Sequence, residues 1–211
     1  MYHVVLLGDS IFDNAAYVAG DEPDVVSQVR GLMPPGSKAT LGAVDGSRVG
    51  DVGRQLRHLP GDATHLIVSC GGNDALGHAG ILNERASSAA EVLAKLARVG
   101  DSFEHDYHEM LTGVLGRGLS AVVCTIYYPR FPDAALQKVA VTALAVFNDC
   151  IVRAAFAAGA PLIDLRLVCA GQEDYANPIE PSARGGEKIA AAIVRAVTEH
   201  DFGGGRTTVF V

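Results

Sequence analysis

The sequence predicts an α/β fold of three layers, in which helices cover both faces of a mainly parallel sheet of five strands. Short apolar runs alternate with longer amphipathic runs from one end of the chain to the other. Such alternation is typical of parallel strands joined by crossover helices. The length of 211 residues fits one α/β unit, because single domains of this class often have about 200 to 250 residues. We therefore expect a single domain over residues 1–211.

Five strands are predicted where apolar runs end in residues that favour turns. These strands are Val4 to Leu7, Lys38 to Val44, Leu66 to Cys70, Ala121 to Tyr127 and Leu162 to Leu165. Helical spacing of apolar residues predicts helices around them. These helices are Asp24 to Met33, Val49 to Leu59, Ala86 to Arg117, Ala134 to Ala158 and Gly185 to Thr198. We expect Gly100 to divide the third helix in two. The tail 203–211 is expected to form an added edge strand, the favoured interpretation, or an arm that binds a partner.

Composition excludes several classes of protein. With 49% hydrophobic and 19% charged residues, the chain has enough apolar surface to fold. Its net charge of -7 argues against a nucleic-acid partner, which requires clustered basic residues. The four cysteines never form a CxxC pair, so neither a zinc site nor a disulfide framework is indicated.

The N-terminus favours a cytoplasmic protein. Met1-Tyr2-His3 leads directly into an apolar run, without the basic region and cleavage site of a signal peptide. No apolar run was expected to reach the length of a membrane span, which is about 20 residues. We therefore expect no membrane partner.

Unusual residues follow the first three predicted strands, namely Ser10, Gly46 and Asn73. In open parallel sheets, ligands bind beyond the carboxyl ends of the strands. These three residues are therefore expected to meet at one edge of the sheet, where a small molecule binds.

Three short motifs resemble the first three sequence blocks of the SGNH hydrolases, also called GDSL-type hydrolases. They are Gly8-Asp9-Ser10, then Gly46, then Gly71-Gly72-Asn73-Asp74. The resemblance extends over nearly the whole chain, since the order and spacing of the blocks agree with the predicted elements. It implies a flavodoxin-like fold and a serine esterase that needs no cofactor and no metal.

The resemblance also implies roles for individual residues. Ser10 matches the nucleophile of the family. The backbone N–H groups of Ser10 and Gly46 and the side-chain amide of Asn73 match its oxyanion hole. Such a hole stabilises the negative charge of a tetrahedral intermediate, and each preorganised donor is typically worth about 3 kcal/mol. A glycine at position 46 leaves room for the substrate to approach the backbone.

The last block departs from the family. Its usual form is Asp-x-x-His-Pro, followed by a glycine and an apolar helix, whereas this chain has Asn177-Pro178-Ile179-Glu180-Pro181. Alignment on Gly185 places Glu180 at the histidine and Asn177 at the aspartate. Both members of the usual base pair are therefore replaced.

Three hypotheses account for this replacement. In the first, Glu180 is the general base for Ser10, with its pKa raised by partial burial and its carboxyl held by a hydrogen bond from Asn177. In the second, His78, four residues after Asp74, replaces the missing histidine. In the third, the protein keeps the fold but binds a small ligand without hydrolysing it. The first hypothesis is the main prediction.

Other polar residues are candidates for contacts with the substrate. Asp74, His78 and Asp13 lie near the predicted edge. Asp74 could instead hold its loop, and Asp13 with Asn14 is better suited to capping the next helix. The carboxylates of the three motifs form no calcium-loop pattern, so no metal is predicted. The expected substrate is a short acyl ester or an acetylated sugar, and the sequence shows no apolar lid segment that would favour a long-chain lipase.

Overall fold

All residues from Met1 to Val211 are described by a computed structural model. Six parallel strands form one sheet in the order β2-β1-β3-β4-β5-β6. They are β1 (His3–Gly8), β2 (Lys38–Leu41), β3 (His65–Ser69), β4 (Ser120–Cys124), β5 (Leu162–Ile163) and β6 (Val209–Phe210). The predicted fold class is confirmed, with one correction. The tail supplies a sixth strand, β6, which pairs with β5 and extends the sheet.

Seven α-helices pack around the sheet. They are α1 (Val25–Leu32), α2 (Val52–Gln55), α3 (Gly72–Gly77), α4 (Ala89–Leu115), α5 (Ala134–Ala158), α6 (Leu165–Val168) and α7 (Ala183–Glu199). Short 3-10 helices cover Val49–Asp51, Leu56–His58, Ala79–Asn83 and Gln172–Asp174. The predicted helix Val49 to Leu59 is thus one turn of α-helix between two 3-10 turns.

The sheet is buried on both faces, as its continuous apolar strands predict. In β1, Val4 and Leu6 belong to the apolar cluster that includes residues of α1 and α7. Val5 and Leu7 point the other way, into the cluster that includes residues of α4 and α5. The two clusters hold the strands rigidly, so the loops at their carboxyl ends have fixed starting points.

Helix α4 is continuous, and the predicted break at Gly100 was wrong. A Cβ atom on Gly100 would lie 2.6 Å from Val146 Cγ1 of helix α5. Gly100 is therefore a packing residue, because it lets the two helices approach closely at this point. A glycine inside a helix costs about 1 kcal/mol relative to alanine, and the close packing offsets that cost.

Helix α5 is long and apolar enough to cross a bilayer by length and composition alone, with a mean hydropathy of 1.7 over its most apolar window. The expectation that no apolar run would reach this length was therefore wrong. Only 28% of that window is buried. Phe147 and Ile151 of its C-terminal half pack in the core beneath the sheet. Its N-terminal half borders a cavity described below.

The two glycines of α4 give a matched test of this packing. Gly100→Ala is expected to lower the free energy of unfolding by about 1 to 3 kcal/mol, because it forces α4 away from Val146. Gly113→Ala, at an exposed position of α4 where a Cβ meets its nearest atom at 3.9 Å, is expected to raise it by about 0.5 to 1 kcal/mol. Urea unfolding measures both. Equal shifts for the two variants would contradict the packing role of Gly100.

Candidate active site

The loops that follow β1, β2 and β3 meet at one edge of the sheet. Gly8 ends β1 with φ of 122°, and a Cβ there would lie 1.7 Å from the carbonyl oxygen of Ser69. Only glycine fits this close approach, so the chain turns sharply and places Ser10 above the sheet. Gly46, with φ of 77°, lies in the loop after β2. Asn73 lies in the first turn of α3, directly after β3.

Ser10 and Glu180 form a hydrogen bond, although 170 residues separate them in the chain. The Ser10 hydroxyl donates to Oε1 of Glu180 with an oxygen–oxygen distance of 3.0 Å. Ser10 is 7% exposed and Glu180 is 6% exposed. The structure therefore brings together the two residues that the alignment on Gly185 pairs, within the range of a proton transfer.

Glu180 lies in a tight loop that is closed by backbone pairing. Tyr175 and Pro181 form an isolated antiparallel bridge, and the Ala176 N–H donates to the Glu180 carbonyl oxygen at 2.9 Å. Asn177 lies within this loop. Its Oδ1 accepts hydrogen bonds from the backbone N–H groups of Ile179 and Glu180, both at 3.0 Å.

The predicted bond from the Asn177 amide to the Glu180 carboxyl was wrong. Asn177 positions the backbone of Glu180 instead, because an asparagine side chain readily bonds to backbone N–H groups two or three residues ahead. Oε2 of Glu180 is buried and has no hydrogen-bond partner in the protein. The only group that stabilises the carboxylate directly is therefore the Ser10 hydroxyl.

Two further residues brace this loop, and sequence analysis did not identify their roles. The Tyr127 hydroxyl donates to the carbonyl oxygen of Ile179 at 2.6 Å. Asn14 is fully buried; its amide donates to the Pro181 carbonyl oxygen at 3.4 Å and its Oδ1 accepts from the Val25 N–H at 2.9 Å. The bond to Val25, the first residue of α1, agrees with the expected role of Asn14 at the start of the next helix. Only the fold places it beside the loop that carries Glu180.

Burial shifts the pKa values of two carboxyls at the site. Loss of hydration raises the pKa of Glu180 to about 7, with a smaller contribution from the charge of Asp45, while the hydrogen bond from Ser10 opposes the rise. Burial also raises the pKa of Asp9 to about 8, although the Ile11 N–H stabilises its anion. At neutral pH, Asp9 is therefore mostly a neutral acid, and Glu180 is close to half ionised.

The three predicted oxyanion donors differ in whether they already form a hydrogen bond within the protein. Nδ2 of Asn73 donates to the carbonyl oxygen of Ser47 at 3.0 Å. This bond engages one N–H of the amide and fixes its orientation next to Gly46. The backbone N–H groups of Ser10 and Gly46 have no acceptor in the protein. Ser10 and Asn73 line the same cavity, whereas Gly46 lies outside its lining.

Asp13 and Asp74 support the loop after β2, and neither lines the cavity. Oδ2 of Asp13 accepts from the Asp45 N–H at 2.9 Å, and Oδ2 of Asp74 accepts from the Val49 N–H at 3.1 Å. For Asp74 the bond agrees with the alternative of holding a loop, and each carboxylate satisfies a backbone donor in or directly after the loop that carries Gly46. Helix α1 is capped by Asp24, so Asp13 is no helix cap either.

His78 ends α3 and is exposed at the border of the cavity. It forms no hydrogen bond with Ser10, whose hydroxyl donates to Glu180. The hypothesis of a histidine base at position 78 therefore has no support in the geometry. His78 remains a cavity-lining residue. No cluster of three or more histidine, cysteine or acidic side chains is arranged to hold a metal ion.

The cavity at this edge has a volume of about 280 Å³. Its polar end includes Ser10, Asn73 and Glu180, but 18 of its 26 lining residues are hydrophobic. A largely apolar cavity with a few polar groups at one end is the usual form of a small-molecule site.

Comparison with known families agrees with this geometry. A family model described as GDSL-like Lipase/Acylhydrolase matches residues 6–188. The chain belongs to this family. Family membership supports ester hydrolysis as the general activity, and it confirms the resemblance carried by the Ser10, Gly46 and Asn73 blocks. No curated protein matches the chain.

Solved structures share the fold at low sequence identity. An extracellular lipase from Streptomyces rimosus is 19% identical with a TM-score of 0.64, covering 95% of this chain and 100% of that one. A lipase/acylhydrolase from Enterococcus faecalis is 19% identical with a TM-score of 0.65, covering 93% and 95%. An acetyl xylan esterase, named AlAXEase, is 16% identical with a TM-score of 0.68, covering 92% and 99%. These likenesses establish the fold.

The position of Asn177 yields a prediction that separates a backbone role from a carboxyl role. Asn177→Ala removes two hydrogen bonds and is expected to lower the free energy of unfolding by about 2 kcal/mol. Asn177→Asp keeps an oxygen that accepts both backbone N–H groups, so stability at pH 8 is expected to stay within about 1 kcal/mol of the parent. Urea titrations of the three proteins measure the difference. If Asn177→Asp is as unstable as Asn177→Ala, the side-chain oxygen does not hold the turn.

Proposed function

We propose that this protein is a serine esterase in which Ser10 is the nucleophile and Glu180 the general base. The observation that carries the proposal is the hydrogen bond of 3.0 Å from the Ser10 hydroxyl to the buried carboxyl of Glu180. A nucleophile in contact with a base that is itself held in place is the recurring arrangement of covalent catalysis. The substrate class is a carboxylic ester, and no cofactor takes part.

Acylation begins with the ionised form of Glu180. As Ser10 Oγ attacks the ester carbonyl carbon, its proton moves to Oε1 of Glu180, and the carbonyl π electrons move to oxygen. When the tetrahedral intermediate collapses, the C–O bond to the alcohol breaks, and protonated Glu180 returns the proton to the leaving oxygen. The products of this step are an ester on Ser10 and a free alcohol.

Deacylation repeats these events with water. Glu180 takes a proton from a water molecule as the water oxygen attacks the acyl carbon. The bond to Ser10 Oγ then breaks, and Glu180 gives the proton back to the serine. The carboxylic acid leaves, and the starting state is restored. Glu180 therefore alternates between base and acid, as a catalytic histidine does.

The negative oxygen of both intermediates requires donors. The unpaired N–H of Ser10 is adjacent to the reacting atom, and the second N–H of the Asn73 amide remains after the bond to Ser47 is made. With the free N–H of Gly46, these groups are the proposed oxyanion hole. The bonds from Asp13 and Asp74 to the loop after β2 support the position of Gly46.

A pKa near 7 makes a carboxyl a useful base at neutral pH. At its ordinary pKa of about 4.5, glutamate would bind the serine proton too weakly. A neutral acid forms when Glu180 accepts the proton, whereas a histidine becomes a cation. Glu180 consequently needs no anionic partner, which agrees with a neutral asparagine at position 177.

The replacement of both base-pair residues favours one alternative function. Without a histidine, the same cavity would bind a small ester or acid, and the ligand would leave unchanged. This alternative shares the fold, the cavity and the oxyanion donors with the esterase. It differs only in whether Glu180 activates Ser10.

Hydrolysis of p-nitrophenyl esters tests the proposal. Ser10→Ala and Glu180→Gln are each expected to lower kcat/KM by about 100-fold or more, the lower range for loss of a general base. For the parent, kcat/KM is expected to rise with pH and to level off above about 7, because only ionised Glu180 acts as a base. Glu180→Gln is expected to lack this rise.

Two further variants complete the test. His78→Ala should keep the parent's rise of kcat/KM with pH, because His78 does not touch Ser10. Glu180→His should hydrolyse esters with a rise in rate near a pKa of about 6.5. An inactive parent together with an active Glu180→His variant would establish the binding alternative. Full activity in Glu180→Gln would remove Glu180 from the mechanism.

A further inference from the structure

The cavity beside Ser10 extends between the N-terminal halves of α4 and α5. Helix α4 contributes Leu96 and Val99 to its wall, and α5 contributes Ala140, Ala143, Leu144 and Phe147. The two carboxyl groups of the lining, those of Asp9 and Glu180, belong to the Ser10 end. The rest of the wall between the helices is therefore hydrocarbon.

Close packing of α4 against α5 fixes one part of the cavity wall. Gly100 of α4 lies against Val146 of α5, and the cavity-lining residues of both helices, except Phe147, precede this contact in sequence. Phe147 is buried and packs edge-on against Phe103, with ring centroids 4.9 Å apart. Phe147 is thus a fixed part of the cavity wall.

The size and polarity of the cavity indicate what occupies it. A volume of about 280 Å³ corresponds to roughly nine water molecules at about 30 Å³ each. A methylene group takes up nearly the same space as a water molecule. The cavity is therefore too large for an acetyl group alone and suits an apolar chain of about eight carbons.

We propose that this cavity receives the acyl chain of the substrate, and that the preferred substrates are esters of medium-chain fatty acids. The proposal rests on the proposed function, since it places the acyl carbon at Ser10. It replaces the sequence-based expectation of a short acyl or acetyl ester. The walls come instead from α4 and α5, the two helices whose N-terminal halves are apolar but incompletely buried.

The value of kcat/KM should rise steadily with acyl-chain length until the cavity is filled. Each methylene transferred from water into a dry apolar site contributes up to about fourfold in affinity, which corresponds to about 0.8 kcal/mol. The p-nitrophenyl octanoate to acetate ratio of kcat/KM is therefore expected to exceed about tenfold in the parent. Esters longer than about ten carbons should gain nothing more, because the cavity is filled.

Two alanines of α5 provide the blocking variant and its control. Ala143 lines the cavity, and Ala143→Leu fills it with three more carbons. We expect this variant to lower the octanoate to acetate ratio by about tenfold or more. Ala145 is exposed on the same helix, so Ala145→Leu adds the same side chain outside the cavity and should leave the ratio within about twofold of the parent. Thermal unfolding checks that both variants fold.

A binding experiment separates this proposal from the catalytic one. Ser10→Ala is titrated calorimetrically with 1-butanol, 1-hexanol and 1-octanol, alone and combined with Ala143→Leu or Ala145→Leu. The proposal requires affinity to grow with chain length, and Ala143→Leu to abolish the growth while Ala145→Leu does not. If affinity grows in this way but the parent hydrolyses no ester, the acyl site stands and the proposed catalysis fails. Affinity independent of chain length, or growth that survives Ala143→Leu, overturns the acyl site.

Discussion

The site depends on the burial of one carboxyl group that has a single hydrogen-bond partner. Oε1 of Glu180 accepts the Ser10 hydroxyl, and Oε2 has no partner. A buried carboxylate that accepts only one hydrogen bond is destabilised by its loss of hydration. This loss raises the pKa of Glu180 to about 7. Because burial destabilises the ionised carboxylate, it makes that carboxylate a stronger base. Any added donor to Oε2 would lower the pKa and reduce that basicity.

Much of the surrounding structure keeps Glu180 in this unfavourable place. Asn177, Tyr127 and Asn14 all bond to the backbone of the loop at residues 175–181, and none of them bonds to the carboxyl. The loop therefore has a fixed shape while the carboxyl keeps its single partner. Neighbouring Asp9 stays mostly neutral at pH 7 because burial raises its own pKa. Repulsion between two adjacent anions is thereby limited.

The sequence predicted those helices and strands whose residue pattern is local. It was less reliable where contacts between distant residues determine the role of a residue. Helix α5 was placed at its observed bounds, Ala134–Ala158, because its apolar spacing is continuous. Gly100 was misread as a break, since only the packing of Val146 explains a glycine there. The pairing of Ser10 with Glu180 followed from motif order. The true partners of Asn177, Asp13 and Asp74 did not, because hydrogen bonds to a backbone leave no pattern in the sequence.

The most direct test of the central claim is the reactivity of Ser10 toward a fluorophosphonate, followed by intact mass at different pH values. This reagent modifies an activated serine without requiring knowledge of the natural ester. We expect one adduct, located on Ser10, at a rate that rises with pH to a plateau above about 7. On the plateau above about pH 7, Glu180→Gln should react at least about 100-fold more slowly than the parent. Labelling of Glu180→Gln at the parent rate, or a parent rate that does not change between pH 5 and 8, would contradict the assignment of Glu180 as the base.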